Sequence, residues 1–224
     1  MTRLAIFDCD GTLVDSGHSI HTALTMSFES HGRVVPELAQ SKRVVGLSLN
    51  EAMAMLAPDA AEDEHQALAA TYRESFVDLR RRGAVEEPLY AGIAELLDVL
   101  EADGWLLGVA TGKSDRGLHH CLIANDLYGR FVTLQTADRH PSKPHPAMAL
   151  AAMAEAGAEA RDCVVIGDTS WDMGMARAAG CGAIGVLWGY HDGADLKLGG
   201  AQSLAANPAE VAAIAARLVE RADG

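Results

Sequence analysis

Two carboxylates follow directly on an apolar run at the start of this chain, in the stretch "LAIFDCDGTLVDS". Residues two apart on an extended chain point to the same side, so Asp8 and Asp10 can face one site. Charge at the end of a buried strand is costly unless it is paired or binds a metal ion. An EF-hand calcium loop begins with the same rhythm, but its sixth and twelfth positions would here be Leu13 and Ser19 instead of glycine and glutamate. We therefore expect a different metal or acid–base site.

A second acidic cluster, "VVIGDTSWDMG", has the same design, because an apolar run leads into Asp168 and Asp172. Ligand sites of open α/β sheets lie beyond the carboxyl ends of the strands, so a parallel sheet would bring both clusters to one edge. Converging carboxylates repel each other unless a divalent cation neutralises them. Oxygen ligands favour Mg²⁺, which also accepts a substrate phosphate in its shell. The sequence therefore predicts a Mg²⁺ site, although capping of a helix by Asp172 stays open.

Two further segments are suited to binding an anion. Thr111 and Gly112 end an apolar run in "GVATGKS", where a hydroxyl, free amides and a helix N-terminus would meet. Lys143 lies in "HPSKPHP", whose prolines restrict the backbone and so aim the side chain. A plain helix N-cap at Thr111 and a surface position for Lys143 are the alternatives that the residues leave open.

The elements that must position these residues are short strands alternating with helices. Each strand-like run is nearly continuously apolar, as in central parallel strands covered on both faces. The runs are Leu4–Phe7, Trp105–Ala110, Phe131–Leu134, Cys163–Ile166 and Ala183–Leu187. Helical patterns such as "GIAELLDVLEADG" lie between them, which predicts an α/β fold with a doubly wound, mostly parallel sheet.

One region breaks this alternation. Between residues 17 and 85 the pattern is helical, with apolar stripes and no convincing strand. We therefore predict a catalytic core formed by residues 1–16 and 86–224, with an inserted all-helical cap at residues 17–85. The cap would open and close over the site through hinges at the two junctions.

Composition narrows the classes of partner. A formal net charge of −13 argues against nucleic acid and anionic membrane surfaces as partners, since both require a basic face. No apolar run is long enough to span a bilayer, the N-terminal run is too short for a signal peptide, and the four cysteines are scattered as buried thiols would be. We expect a cytoplasmic protein, a monomer or homodimer, acting on a small metabolite.

The segments "DCDGTLVDS", "TGK", "SKPHP" and "GDTSWD" stand in the chain in that order. They resemble the four motifs of the haloacid dehalogenase-like hydrolase superfamily, and the resemblance covers essentially the whole chain. The helical insert is similar to the cap of the subgroup that includes phosphoglycolate phosphatases. The resemblance implies a Rossmann-like core and Mg²⁺-dependent hydrolysis of a small phosphate monoester, with 2-phosphoglycolate as the best single candidate.

Carried over to this sequence, the resemblance implies a role for each motif. Asp8 would attack phosphorus and form an aspartyl-phosphate. Asp10 would protonate the leaving oxygen and then activate the water that hydrolyses this intermediate. Thr111, the amide of Gly112 and Lys143 would hold the phosphoryl oxygens.

The metal site follows from the same resemblance. Asp8, Asp168 and the backbone carbonyl of Asp10 would bind Mg²⁺, and Asp172 would orient Lys143 or metal-bound water. The chain departs from the family at Gly112, where asparagine is common, which leaves one amide side chain fewer in the pocket.

The cap contributes weaker candidates in the stretch "RVVGLSLN". In the related subgroup this loop faces the active site, so Arg43, Gly46 and Ser48 are possible substrate contacts. A simple loop between helices is an equally open interpretation. Ser48 and Glu51 have the spacing of a capping box for the helix that follows.

Three other functions are compatible with these motifs. A 2-haloacid dehalogenase would use the same nucleophile on carbon, without metal, and would stay active in EDTA. A phosphomutase would pass the phosphoryl group to a second hydroxyl and would depend on a bisphosphate activator. A non-catalytic binding protein would retain the fold and turn over no phosphate ester.

Overall fold

The computed structural model of the chain describes the backbone of residues 2–222 and the side chains of residues 2–220. Its strands form one parallel six-stranded sheet in the order β3-β2-β1-β4-β5-β6. The strands are β1 (Leu4–Phe7), β2 (Leu106–Thr111), β3 (Thr133–Thr136), β4 (Cys163–Gly167), β5 (Gly182–Val186) and β6 (Ser203–Ala205). The α/β fold class with a parallel sheet is therefore confirmed.

Helices cover both faces of this sheet, as a doubly wound arrangement requires. The helices are α1 (Gly17–Ser30), α2 (Leu38–Arg43), α3 (Leu49–Leu56), α4 (Glu62–Arg81), α5 (Ile93–Ala102), α6 (Asp115–Ala124), α7 (Ala147–Ala156), α8 (Ser170–Ala179), α9 (Gly193–Gly199) and α10 (Val211–Ala222). Short 3₁₀ turns at Ala160–Asp162 and Pro208–Glu210 complete the secondary structure.

Strand β1 shows how the two faces are divided. Its side chains alternate, so Ala5 and Phe7 lie in the apolar cluster on one face, whereas Leu4 and Ile6 lie in the cluster on the other. All four side chains are fully buried. A strand buried on both faces needs this continuous apolar run, which is why the sequence predicted its bounds.

The remaining strands differ from the predictions only in their ends and number. Strand β3 begins two residues later than predicted and runs to Thr136. Strand β6 was not predicted, because its three residues are too few to show an apolar pattern. They form a strand because they pair with β5, beginning with Ser203 beside Ile184.

The helical insert has an apolar cluster of its own. Helices α1, α3 and α4 contribute Leu24, Phe28, Met53 and Leu68 to this cluster, and all four side chains are buried. The chain enters and leaves this segment side by side, since the Asp15 amide donates to the Pro88 carbonyl at 2.9 Å. The boundaries of a separate cap at residues 17–85 stay a prediction.

Helix α4 is the longest, with 20 residues, and it begins with three acidic residues and ends with arginines. In the part of the chain that the structure describes, no helix is both long enough and apolar enough to cross a membrane.

Candidate active site

The two predicted acidic clusters meet at the carboxyl edge of the sheet. Strands β1 and β4 are neighbours with Phe7 paired to Ile166, so Asp8 and Asp168 leave the sheet side by side. Gly11 in the turn after Asp10 has a φ of +82°, and a Cβ there would lie 2.2 Å from Asp168 Oδ2. Only glycine allows the turn to pass so close to that carboxylate.

The centre of the site is a buried cluster of three carboxylates and one ammonium. Asp8, Asp168 and Asp172 each offer an oxygen within 4.8 Å of the others. Lys143 Nζ lies 2.9 Å from Asp8 Oδ1 and 2.6 Å from Asp172 Oδ1. With all groups ionised, the cluster retains two uncompensated negative charges, a surplus that is costly in a buried site unless a cation binds or a carboxyl takes up a proton.

A divalent cation fits this donor set. Asp8 Oδ2 is buried, and among the described residues it has no hydrogen-bond partner. Two hydrogen bonds fix the Asp168 carboxylate in position. Thr12 Oγ1 donates to its Oδ1 at 2.8 Å, and the Tyr190 amide donates to its Oδ2 at 2.9 Å. An orphaned carboxylate oxygen beside a second fixed carboxylate is the arrangement that a hard, oxygen-seeking cation requires.

The pKa values follow from burial and crowding. Burial raises the pKa of the Asp8 carboxyl to about 7, although the Lys143 ammonium opposes the shift. Burial raises the pKa of Asp168 well above its usual range, and the negative charges of Asp8 and Asp172 add to the effect. Burial alone would lower the pKa of Lys143, but the carboxylates of Asp172 and Asp8 outweigh it and raise that pKa above its usual value. The lysine therefore stays charged.

These shifts predict a pH-dependent response to metal. A carboxyl whose pKa is higher in the folded than in the unfolded protein lowers the free energy of unfolding as pH rises. For Asp8 this loss of stability begins above the ordinary pKa of 3.8 and is complete above about pH 7. Because Mg²⁺ binds the ionised form, the increase in Tm caused by Mg²⁺ should be larger at about pH 8 than at about pH 5.5. Thermal unfolding with and without Mg²⁺ measures it. Asp168→Asn should remove most of the increase, and an increase independent of pH would contradict the expectation.

Asp172 serves two purposes that the sequence left open. Its Oδ1 accepts from Lys143, while its Oδ2 accepts from the Thr169 hydroxyl at 2.6 Å and the Thr169 amide at 3.1 Å. Thr169 and Asp172 thus form the capping box of α8. Both oxygens of Asp172 are used inside the protein, so its geometry suits orienting Lys143.

Asp10 lies beside this cluster but turns its side chain elsewhere. Its Oδ1 accepts from the Ser16 hydroxyl and from Lys113 Nζ, the latter at 2.9 Å. Lys113 Nζ also lies 2.6 Å from Glu87 Oε1, and Glu87 in turn pairs with Arg80 of α4 at 2.9 Å. A chain of buried charges therefore links Asp10 to the helical insert.

The role of Lys113 was not predicted. The residue stands in the quoted motif "TGK", but its two partners, Asp10 and Glu87, are distant in sequence. Burial alone would lower the pKa of Lys113, yet the negative charges of Asp10 and Glu87 raise it well above the usual value. Its position between two carboxylates depends on the tertiary structure and could not be predicted from the spacing of residues in the sequence.

The predicted phosphate-binding turn follows β2. Thr111 is fully buried, and its hydroxyl accepts from the Lys113 amide at 3.2 Å. Thr111 is not the N-cap of α6, because Ser114 occupies that position and accepts from the Gly117 amide. The simpler capping interpretation of Thr111 is therefore wrong.

Gly112 meets the loop of the helical insert directly. A Cβ at Gly112 would lie 2.5 Å from the Leu47 carbonyl oxygen and 2.9 Å from the Gly46 carbonyl oxygen. Both atoms are backbone, so the clash could not be relieved by turning a side chain. Glycine, where asparagine is common in the family, therefore occurs where this loop comes close to the backbone of residue 112.

Gly112→Ala should push this loop away from the site. We expect kcat/KM for a phosphate ester to fall by about tenfold or more, because small misplacements of positioning elements are costly. Steady-state kinetics measure the change, and Gly193→Ala is the matched control, since its Cβ would meet only leucine side chains, at 3.3 Å. Equal kinetics of the two variants would disprove a role for this contact.

The structure brings only one of the three predicted cap residues to the acidic cluster. Gly46 has a φ of +91°, and a Cβ there would lie 3.9 Å from Asp8 Oδ2. The Arg43 guanidinium is exposed and pairs with Asp195 of α9 at 3.1 Å, and a contact of this side chain with substrate stays a prediction. The Arg43 carbonyl instead accepts from the Trp171 indole at 3.3 Å, which ties this loop to α8.

Ser48 holds the same loop through its backbone. Its amide donates to Ser142 Oγ at 2.8 Å, next to Lys143. Ser48 is the N-cap of α3, but its side chain makes no capping hydrogen bond, so the predicted capping box with Glu51 is wrong. The contact with Ser142 fixes the loop against the core in its place.

A cavity of about 490 Å³ opens between the helical insert and the core. Asp10, Gly112 and Lys113 line its core side, and Gly46 and Leu47 line the opposite side. A leaving group attached to a phosphate at Asp8 would extend into this space.

The comparisons with known proteins agree with this geometry. The family model described as haloacid dehalogenase-like hydrolase matches residues 5–186. The chain is 34% identical to "Probable phosphatase IndB" of Dickeya dadantii, with 98% of this chain and 96% of that protein covered. It is 30% identical to "Phosphoglycolate phosphatase" of Xylella fastidiosa, with 86% and 83% covered. The crystal structure of a hydrolase from Pseudomonas syringae is similar, with a TM-score of 0.83, 25% identity, and 95% and 97% of the chains covered.

Proposed function

The chain belongs to the haloacid dehalogenase-like hydrolase family and is a phosphatase, and we propose that it hydrolyses a small phosphate monoester with Mg²⁺ through an aspartyl-phosphate on Asp8. The relatives named phosphoglycolate phosphatase make 2-phosphoglycolate the reference ester. The observation that carries the proposal is the orphaned Oδ2 of Asp8, buried beside Lys143 and Asp168.

The first step transfers the phosphoryl group to the protein. A carboxylate oxygen of Asp8 forms a bond to phosphorus while the bond from phosphorus to the ester oxygen breaks. The leaving oxygen keeps the electron pair and takes a proton from Asp10. Lys143, which its acidic neighbours keep charged in spite of burial, stabilises the negative charge on the phosphoryl oxygens, together with the Thr111 hydroxyl and the Gly112 amide.

The second step regenerates the carboxylate. Asp10 takes a proton from water, the water oxygen bonds to phosphorus, and the bond to Asp8 breaks to release inorganic phosphate. Lys113 and Ser16 bind the Oδ1 of Asp10, which leaves its other oxygen for these proton transfers. Mg²⁺, held by Asp8, Asp168 and the carbonyl of Asp10, would supply charge neutralisation for the phosphoryl group.

A phosphate-release assay over small phosphorylated metabolites, with and without Mg²⁺, tests this function. We expect turnover that requires Mg²⁺ and stops in EDTA. Activity towards 2-haloacids that persists in EDTA would instead indicate a dehalogenase. Turnover that appears only with a bisphosphate activator, without free phosphate, would indicate a phosphomutase.

A further inference from the structure

The cavity beside Asp10 differs in character from the acidic cluster next to it. Its most buried lining residues, Leu24, Ala52 and Met53, are apolar. Tyr72 and Phe76 of α4 form another part of the wall, with their ring centroids 5.7 Å apart. A wall of this kind binds apolar surface and excludes water from it.

The volume exceeds what a two-carbon leaving group would fill. At about 490 Å³, the cavity falls within the range of about 300–1,000 Å³ that is typical of sites for much larger ligands. An unfilled apolar cavity loses dispersion contacts, so a leaving group that fills it binds better than one that does not.

The charges around the cavity are mostly positive. Lys113 Nζ lies 5.8 Å from the centre of the Phe76 ring, and the guanidinium of Arg80 lies 5.7 Å from it. The exposed end of the lining includes Arg73, Arg81 and Arg116. A leaving group with a positive charge would be repelled here and would lose its hydration as well.

The Tyr72 hydroxyl is a polar group on this wall. It makes no hydrogen bond with the residues in the described part of the chain, although the ring is half-buried. Burial raises the pKa of this hydroxyl, so it stays protonated and can donate. It offers a specific contact beside the apolar residues of the wall.

From this lining we infer that the preferred substrates are phosphate monoesters of extended, largely apolar alcohols without a positive charge. The inference rests on the proposed function, because the cavity binds a leaving group only if the phosphoryl group sits at Asp8. It adds a chemical class of alcohol to the phosphate that the carboxylates and Lys143 select.

Ethyl, hexyl and 6-aminohexyl phosphate test the inference, since all three are esters of primary alcohols with similar intrinsic reactivity. We expect kcat/KM for hexyl phosphate to exceed that for ethyl phosphate by at least about tenfold. The amino derivative should fall below hexyl phosphate by at least about tenfold. Equal or higher kcat/KM for ethyl phosphate, or for the amino derivative, would overturn the inference.

Two variants of α3 distinguish an effect on substrate binding in the cavity from a general effect on activity. Ala52→Leu fills the buried wall and should lower kcat/KM for hexyl phosphate by about tenfold while leaving that for ethyl phosphate nearly unchanged. Ala54→Leu, at an exposed position of the same helix, should change neither. An equal loss on both esters in Ala52→Leu would contradict a specificity role.

The proposed function fails in a different way. If no ester, including 2-phosphoglycolate, releases phosphate that Asp8→Asn abolishes, the site is not a phosphatase centre. If phosphate is released but the chain length of the alcohol has no effect, only the inference about the cavity fails.

Discussion

We expect Asp8→Asn to abolish phosphate release and to lower kcat by at least about 10³-fold. The amide of asparagine cannot bond to phosphorus as the carboxylate does, so no aspartyl-phosphate forms. The fold should survive, because asparagine can still accept the Cys9 amide that now donates to Asp8 Oδ1 at 2.7 Å. In the metal-free protein the substitution removes a buried charge, so Tm above about pH 7 should not decrease.

Phosphate release and the mass of acid-quenched enzyme measure the two parts of this prediction. The wild-type protein should gain the mass of one phosphoryl group during turnover, and the variant should not. Asp162→Asn is a matched control, since Asp162 is also a buried aspartate with an oxygen that has no hydrogen-bond partner in the described part of the chain. Asp162 lies before β4, at the opposite end of that strand from the site. Residual turnover of Asp8→Asn similar to that of Asp162→Asn would refute the nucleophile assignment.

Lys143→Met should have the second largest effect. Its ammonium is fully buried between Asp8 and Asp172, so removal leaves carboxylates without a counter-charge and should cost about 3–5 kcal/mol of stability. It also removes the charge that faces the phosphoryl oxygens, so kcat/KM should fall by at least about 10²-fold. Denaturant unfolding and steady-state kinetics measure the two losses.

A double variant separates these two losses. The double variant Lys143→Met with Asp172→Asn removes the Lys143 ammonium and also the Asp172 carboxylate that it paired with. Part of the stability lost in Lys143→Met should therefore return. Activity should not return, because no ammonium then faces the phosphoryl oxygens. Recovery of activity together with stability would show that Lys143 has only a structural role.

The position of Asp10 connects chemistry with the helical insert. Asp10 binds Lys113, Lys113 binds Glu87, and Glu87 binds Arg80 at the end of α4. Ser16, the residue before α1, also donates to Asp10. One junction of the insert therefore contacts Asp10 directly, and the other reaches it through Glu87 and Lys113, so movement of the insert would change the surroundings of Asp10.

Local patterns explain which parts of the fold were predicted. Strand β1 and the turn "DCDGT" depend on neighbours in sequence, because burial on both faces needs an apolar run and the turn needs glycine at residue 11. Helices α1 and α4 followed from their apolar stripes, and α3 was expected from the spacing of Ser48 and Glu51. Strand β6 was missed, because it depends on pairing with β5.

The sequence by itself determined the class of chemistry. Asp8, Asp10 and Asp168 could be chosen from residue type and from their position at strand ends, because a parallel sheet places all carboxyl ends at one edge. Lys143 could be chosen from its neighbouring prolines, and the roles of all four residues came from the family resemblance.

Only the tertiary structure decided the partners of these groups. The ion pairs of Lys113, the pairing of Arg43 with Asp195 and the apolar wall opposite Asp10 join elements far apart in the chain. Such contacts depend on how helices pack across the sheet, and no local spacing encodes a packing distance.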